Sequence, residues 1–130
     1  MTWVFKDEAT EFSSELRRSL GQGSKCYVPA LWRWEVGNVI LSGERNRRLS
    51  IADASQHLLL LACLPIEVDD GSVSQVWSVT HLLARTHKLT SYDASYLELA
   101  MRRGLPLASL ARDLREAAKR EKIKLLPAKN

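Results

Sequence analysis

Short apolar runs alternate with amphipathic helical stretches through most of the chain, and no other feature limits its fold as sharply. "CYVPA" (26–30), "IEV" (66–68), "LPLASL" (105–110) and "IKLLP" (123–127) have the length and β-rich character of buried strands. Between them, "LWRWEVGNVILSGERNRR" (31–48) sets Trp32, Val36, Val39, Ile40 and Gly43 on one helical face. Ser50 with Asp53 forms a capping box for a helix running to Cys63. Ser72 is suited to cap a helix through His87 that carries Val73, Val76, Trp77, Val79, Leu82 and Leu83. A further helix spans 91–104, opened by Thr90 or Ser91 and closed by Gly104, and another spans 112–122. An earlier helix is expected over 7–20, with Phe12, Leu16 and Leu20 at helical spacing and Gly21 and Gly23 at its end. This alternation builds βα units around a mostly parallel sheet with both faces covered. No repeat, low-complexity tract or linker interrupts the order, so a single domain is expected across residues 1–130.

Composition excludes several classes. The 130 residues are 45% hydrophobic and 26% charged, the balance of an ordinary globular domain rather than a disordered or membrane protein. The longest apolar run, "HLLLLACLPI", is broken by His57 and Pro65, and no membrane span is expected. The N-terminus turns acidic soon after a short apolar patch, unlike a secretory signal. Cys26 and Cys63 are expected as buried free thiols in a reducing cytoplasm. The net charge of +4 permits nucleic acid as a partner without demonstrating one. The basic clusters at 43–48, 101–104 and 112–124 read first as solvated helix faces.

In a parallel sheet the working cleft lies where strands turn into helices, at their carboxyl ends. Glu35 stands one turn into the helix after the strand at 26–28 and borders its buried stripe. It needs a partner there, either an arginine such as Arg33 or Arg45 or a bound cation, and Asn38 lies on the same side and is placed to orient it. Asp93 lies in the first turn of its own helix, where the dipole alone favours an acid. Thr90 and Ser91 already supply capping oxygens, which leaves Asp93 free for another role. Two carboxylates converging from different turns are hard oxygen donors of the kind magnesium or manganese takes. His57, His81 and His87 have no ligand spacing, and neither a phosphate-binding glycine loop nor a nucleophile elbow occurs.

"VPALWRWEVGNVIL" (28–41), "LTSYDASYLELAMRRGLPLASL" (89–110) and the trailing "RDLREAA" resemble the PIN-domain ribonucleases, specifically the toxins of VapBC-type toxin–antitoxin pairs. The most specific pieces are Glu35-Val36-Gly37-Asn38 and the string from Thr90 to Tyr96. The resemblance implies a three-layer α/β/α sandwich with a mostly parallel sheet. It also implies a magnesium- or manganese-dependent endoribonuclease acting on RNA, a small antitoxin occupying its acidic cleft, and homodimerisation. It assigns catalysis and metal binding to Glu35 and Asp93, with Asn38 and Thr90 in support.

The family uses about four acids, and this sequence departs from that pattern at two. The acid that closes the "LASL" strand is replaced by Ala111, leaving Asp113 as a weaker candidate metal ligand or an ordinary helix-start acid. The acid ending the family's first, central strand has no counterpart, because "TWVFKDEAT" (2–10) resembles the segment after that strand. The expectation is therefore a sheet without its central strand, weak metal binding and little or no cleavage. Three outcomes would resolve the gap: a start upstream of Met1, a sheet that closes up, or a partner chain that fills it. A start upstream of Met1 is the one we expect.

Overall fold

The structure, a computed structural model, describes residues 2–6, 23 and 25–126. The helix expected over 7–20 and the glycine at 21 lie outside these residues. Five parallel strands run β1 (Thr2–Phe5), β2 (Lys25–Pro29), β3 (Ile66–Asp69), β4 (Leu107–Ala108) and β5 (Leu125–Leu126), in the spatial order β3-β2-β1-β4-β5. The helices are α1 (Leu31–Arg45), α2 (Ile51–Cys63), α3 (Gly71–Ser74), α4 (Val79–His87), α5 (Ser91–Arg103) and α6 (Arg112–Arg120).

The sheet corrects one expectation. Its central position is not empty: Thr2–Phe5 pairs with β2 on one side and β4 on the other. The N–H of Lys6 also donates to the Ala108 carbonyl at 2.9 Å, so the pairing runs past the strand end. A run read as lying beyond the first strand supplies that strand, because an open centre would leave two rows of backbone donors and acceptors unpaired.

Val4 on one face of the sheet and Cys26, Val28 and Ala108 on the other are buried together, which requires cover on both sides. Strand pairing places Val4 level with Tyr27 and Leu107, so these residues and Lys6 share a face. That face carries α5, whose residues Ala94, Ser95, Tyr96, Leu97, Glu98, Leu99 and Ala100 are all buried. A helix buried on every side is the central member of its layer rather than a surface helix. Thr90 caps it, accepting the Asp93 N–H at 3.0 Å, and Gly104 ends it with the left-handed φ of +65° that glycine adopts most readily. Ser50 caps α2 as expected, accepting the Asp53 N–H.

Two helical expectations change. The stretch from Ser72 to His87 is split into α3 and α4, and Val73, Trp77, Val79 and Leu82 are exposed while Leu83 is buried. On α1, Val39 faces solvent, whereas Trp32, Ile40 and Gly43 are buried. Both cysteines are free, but only Cys26 is buried; Cys63 is exposed at the end of α2.

Candidate active site

Glu35 and Asp93 belong to one contiguous polar group at the carboxyl end of β1. Asp93, in the first turn of α5, has its Oδ1 3.4 Å from the Lys6 ammonium. Lys6 follows β1 directly and is only 6% exposed, so its charge is held inside the protein. The same ammonium lies 5.5 Å from the centre of the Tyr96 ring, within cation–π range. Tyr96 is fully buried one helical turn beyond Asp93, and its hydroxyl donates a hydrogen bond to Oε1 of Glu35 on α1. Glu35 and Asp93 are linked through a tyrosine and a lysine that lie between them. Tyr96 was recoverable from sequence, because it stands three residues after Asp93 and shares its helical face. Lys6 was not, since its position depends on Thr2–Phe5 entering the sheet.

The supporting residues divide. Thr90 fixes the backbone of Asp93 through the cap described above. Asn38 is exposed, and among the described residues no hydrogen bond joins it to Glu35, whose donor is Tyr96. Neither Arg33 nor Arg45 forms an ion pair with Glu35 among the described residues; both are exposed. Ala111 is the N-cap residue of α6 and has no side-chain oxygen to offer. Asp113 is exposed on the first turn of α6, in a depression it shares with Thr86, His87, Lys88, Glu116 and Arg120 rather than with Glu35 and Asp93.

A divalent metal of the kind implied by the resemblance requires several converging oxygens, usually including more than one free carboxylate. Among the described residues no group of three histidine, cysteine, aspartate or glutamate side chains could hold a metal ion. The two acids described at this corner are already engaged, Asp93 by an ammonium and Glu35 by a hydroxyl. Among the described residues the donor set does not fit the metal.

A second charged cluster lies where β3 ends. Asp69, 1% exposed, accepts from Arg102 Nη2 at 2.7 Å and Arg103 Nε, and from the N–H and hydroxyl of Ser72 at 2.9 and 3.1 Å. Buried Glu98 accepts from Arg102 Nε at 2.7 Å. Burial alone would drive the Asp69 carboxyl up; hydrogen bonds from Arg102 and Arg103, the Arg102 charge and Ser72 outweigh it and hold the group well below the usual carboxylate range. Hydrogen bonding to Glu98, then to Asp69, raises Arg102 in turn. A Cβ at Gly71 would lie 2.8 Å from Arg102 Nη1, so the guanidinium would have to shift from its place beside Asp69. The arginines of "MRRG" are thus exposed but pair with buried acids. Arg115 of "RDLREAA" is also buried, and its Nη1 donates to the carbonyl oxygens of Ser109 and Leu126 at the ends of β4 and β5.

No helix among the described residues is long and apolar enough to cross a membrane. Among curated proteins no relative matches. The crystal structure of PAE2754 from Pyrobaculum aerophilum is similar in fold, with a TM-score of 0.70 and 22% identity over 90% of this chain and 84% of that one. The PIN domain family matches residues 1–120, which take in β1 to β4 and α1 to α6, and the chain belongs to the PIN-domain family.

Proposed function

We propose that this protein is a VapC-type PIN-domain protein of a toxin–antitoxin pair, directed at RNA, whose endoribonuclease site is incomplete and cleaves weakly or not at all. The PIN domain is in general a nuclease fold, and PIN domains typically use divalent metal ions. The observation that supports the reading is the meeting of Glu35 and Asp93, from α1 and α5, in one polar group at the end of the central strand. That is where a doubly wound sheet presents its cleft. The reduced activity follows from the charges at that corner: Lys6 balances Asp93, Tyr96 holds Glu35, and Ala111 brings no carboxylate. Exposed Arg33, Arg45, Arg47 and Arg48 on and after α1 supply positive charge for RNA phosphates. The test is incubation of a single-stranded RNA with the protein in magnesium, manganese or EDTA. Little or no cleavage is expected in any of them; magnesium-stimulated cleavage abolished by Asp93→Ala would show the site to be complete.

A second reading, a non-catalytic protein-binding or dimerisation module, draws on a separate observation. The packed pair α1 and α2 exposes Trp34 (70%), Val39, Leu41, Ile51, Leu58 and Leu59, more large apolar surface than isolated surface residues account for. The occupant in this reading is the antitoxin or a second copy. A strict monomer in light scattering that captures no antitoxin partner would remove it.

A further inference from the structure

We infer that the Lys6 ammonium serves as this protein's built-in cation at the PIN-domain corner and excludes divalent metal from it. This rests on the reading of Glu35 and Asp93 as descendants of a nuclease site, but not on any particular RNA. Lys6 is almost wholly buried and follows the central strand, so its ammonium is fixed in place by β1 as a metal would be by the side chain of an acid there. It lies 3.4 Å from Asp93 Oδ1 and 5.5 Å from the Tyr96 ring, while the Tyr96 hydroxyl is committed to Glu35. A buried ammonium is retained only where negative charge and π-electron density meet it, and both are present. A divalent ion approaching Asp93 would meet a fixed positive charge at contact range. Lys6 thus offsets the Asp93 charge from within the chain, and the Tyr96 hydroxyl meets Glu35.

The experiment is a manganese titration of the full chain, read by the electron paramagnetic resonance of free Mn2+ and by thermal melting. Wild type is expected to show no stoichiometric Mn2+ binding into the millimolar range and no Mn2+-induced rise in Tm. Lys6→Asp is expected to bind one Mn2+ at least about tenfold more tightly than wild type, and Asp93→Asn added to it to remove that gain. One site on wild type, lost in Asp93→Asn, would overturn the inference, and that arm needs only the native chain. Equal Mn2+ affinity in wild type and a folded Lys6→Asp variant would overturn it as well. RNA retention in EDTA, measured in parallel, separates the two readings: its loss removes the VapC-type assignment while the metal result stands by itself.

Discussion

The Lys6 ammonium and the Asp93 carboxylate, 3.4 Å apart, tie the end of the central strand to the first turn of the buried helix α5. Asp93 therefore has two stabilising relationships, the helix dipole and a buried cation. Asp93→Asn should lower stability by about 2 kcal/mol, measured as a urea midpoint in EDTA. A metal-ligand aspartate among like charges would behave the opposite way, gaining stability when neutralised. A double-mutant cycle with Lys6→Met should return a coupling of about 1 kcal/mol, and a coupling of zero would place the two charges out of contact in solution.

Tyr96 links the two candidate acids. Its hydroxyl is buried and donates to Glu35, so Tyr96→Phe deletes the donor while keeping the ring over which Lys6 lies. The variant should lose about 1 to 2 kcal/mol. In a Glu35→Ala background the same change should have a clearly smaller effect, because the acceptor is already gone. Equal losses in both backgrounds would mean that the hydroxyl works through another neighbour.

Asp69 gives stability a pH dependence. Its folded carboxyl lies below the ordinary value of about 3.9, so in acid the unfolded chain binds a proton that the folded chain does not. Stability from this group is fully present above about pH 5 and is lost progressively as pH falls through the ordinary carboxylate range and below it. Guanidinium midpoints from pH 6 down to pH 3 should fall for wild type and flatten for Asp69→Asn. That variant should also lose about 3 kcal/mol at pH 7, since Arg102 and Arg103 would keep half-buried charges without their shared acceptor. An unchanged slope in Asp69→Asn would assign the acid sensitivity to other carboxylates.

Elements with strong local signals were readable from sequence. The Ser50 and Thr90 caps, the Gly104 stop and the apolar run through β2 each combine a residue type with a fixed offset, and all four form as read. Glu35 stands one turn into the helix after β2, whereas Asp93 opens a helix that follows α4 rather than a strand. Features set by long-range pairing were not readable. Thr2–Phe5 becomes the central strand because β2 and β4 need a partner, and nothing within those residues states that need. Arg102, Arg103 and Arg115 resemble surface arginines until Asp69, Ser109 and Leu126 are brought to them from other elements. The break between α3 and α4 leaves Trp77 93% exposed, against an apolar periodicity that predicts burial.

The two thiols should separate cleanly. Burial pushes the Cys26 thiol up to about 12, and it lies in the core, whereas Cys63 is exposed. The reactive species is the thiolate, so a disulfide reagent at pH 8 should titrate one thiol in the native protein and two in denaturant. Cys63→Ser should abolish the native reaction and Cys26→Ser should leave it intact. Fast reaction of both thiols would mean that β2 opens readily.

Ala111 tests the closing turn of the sheet. It is the N-cap residue of α6 with extended backbone angles, and the Ser109 hydroxyl accepts its N–H at 3.0 Å. A short polar side chain at such a position satisfies a free N–H in the first turn, so Ala111→Asp should raise stability by about 1 kcal/mol without any metal. The substitution also returns a carboxylate to the position that Ala111 fills in the PIN pattern. Combined with Lys6→Asp, it should tighten Mn2+ binding beyond the Lys6→Asp variant alone. A gain in thermal stability without that added affinity would show that residue 111 caps α6 but does not reach the corner held by Asp93.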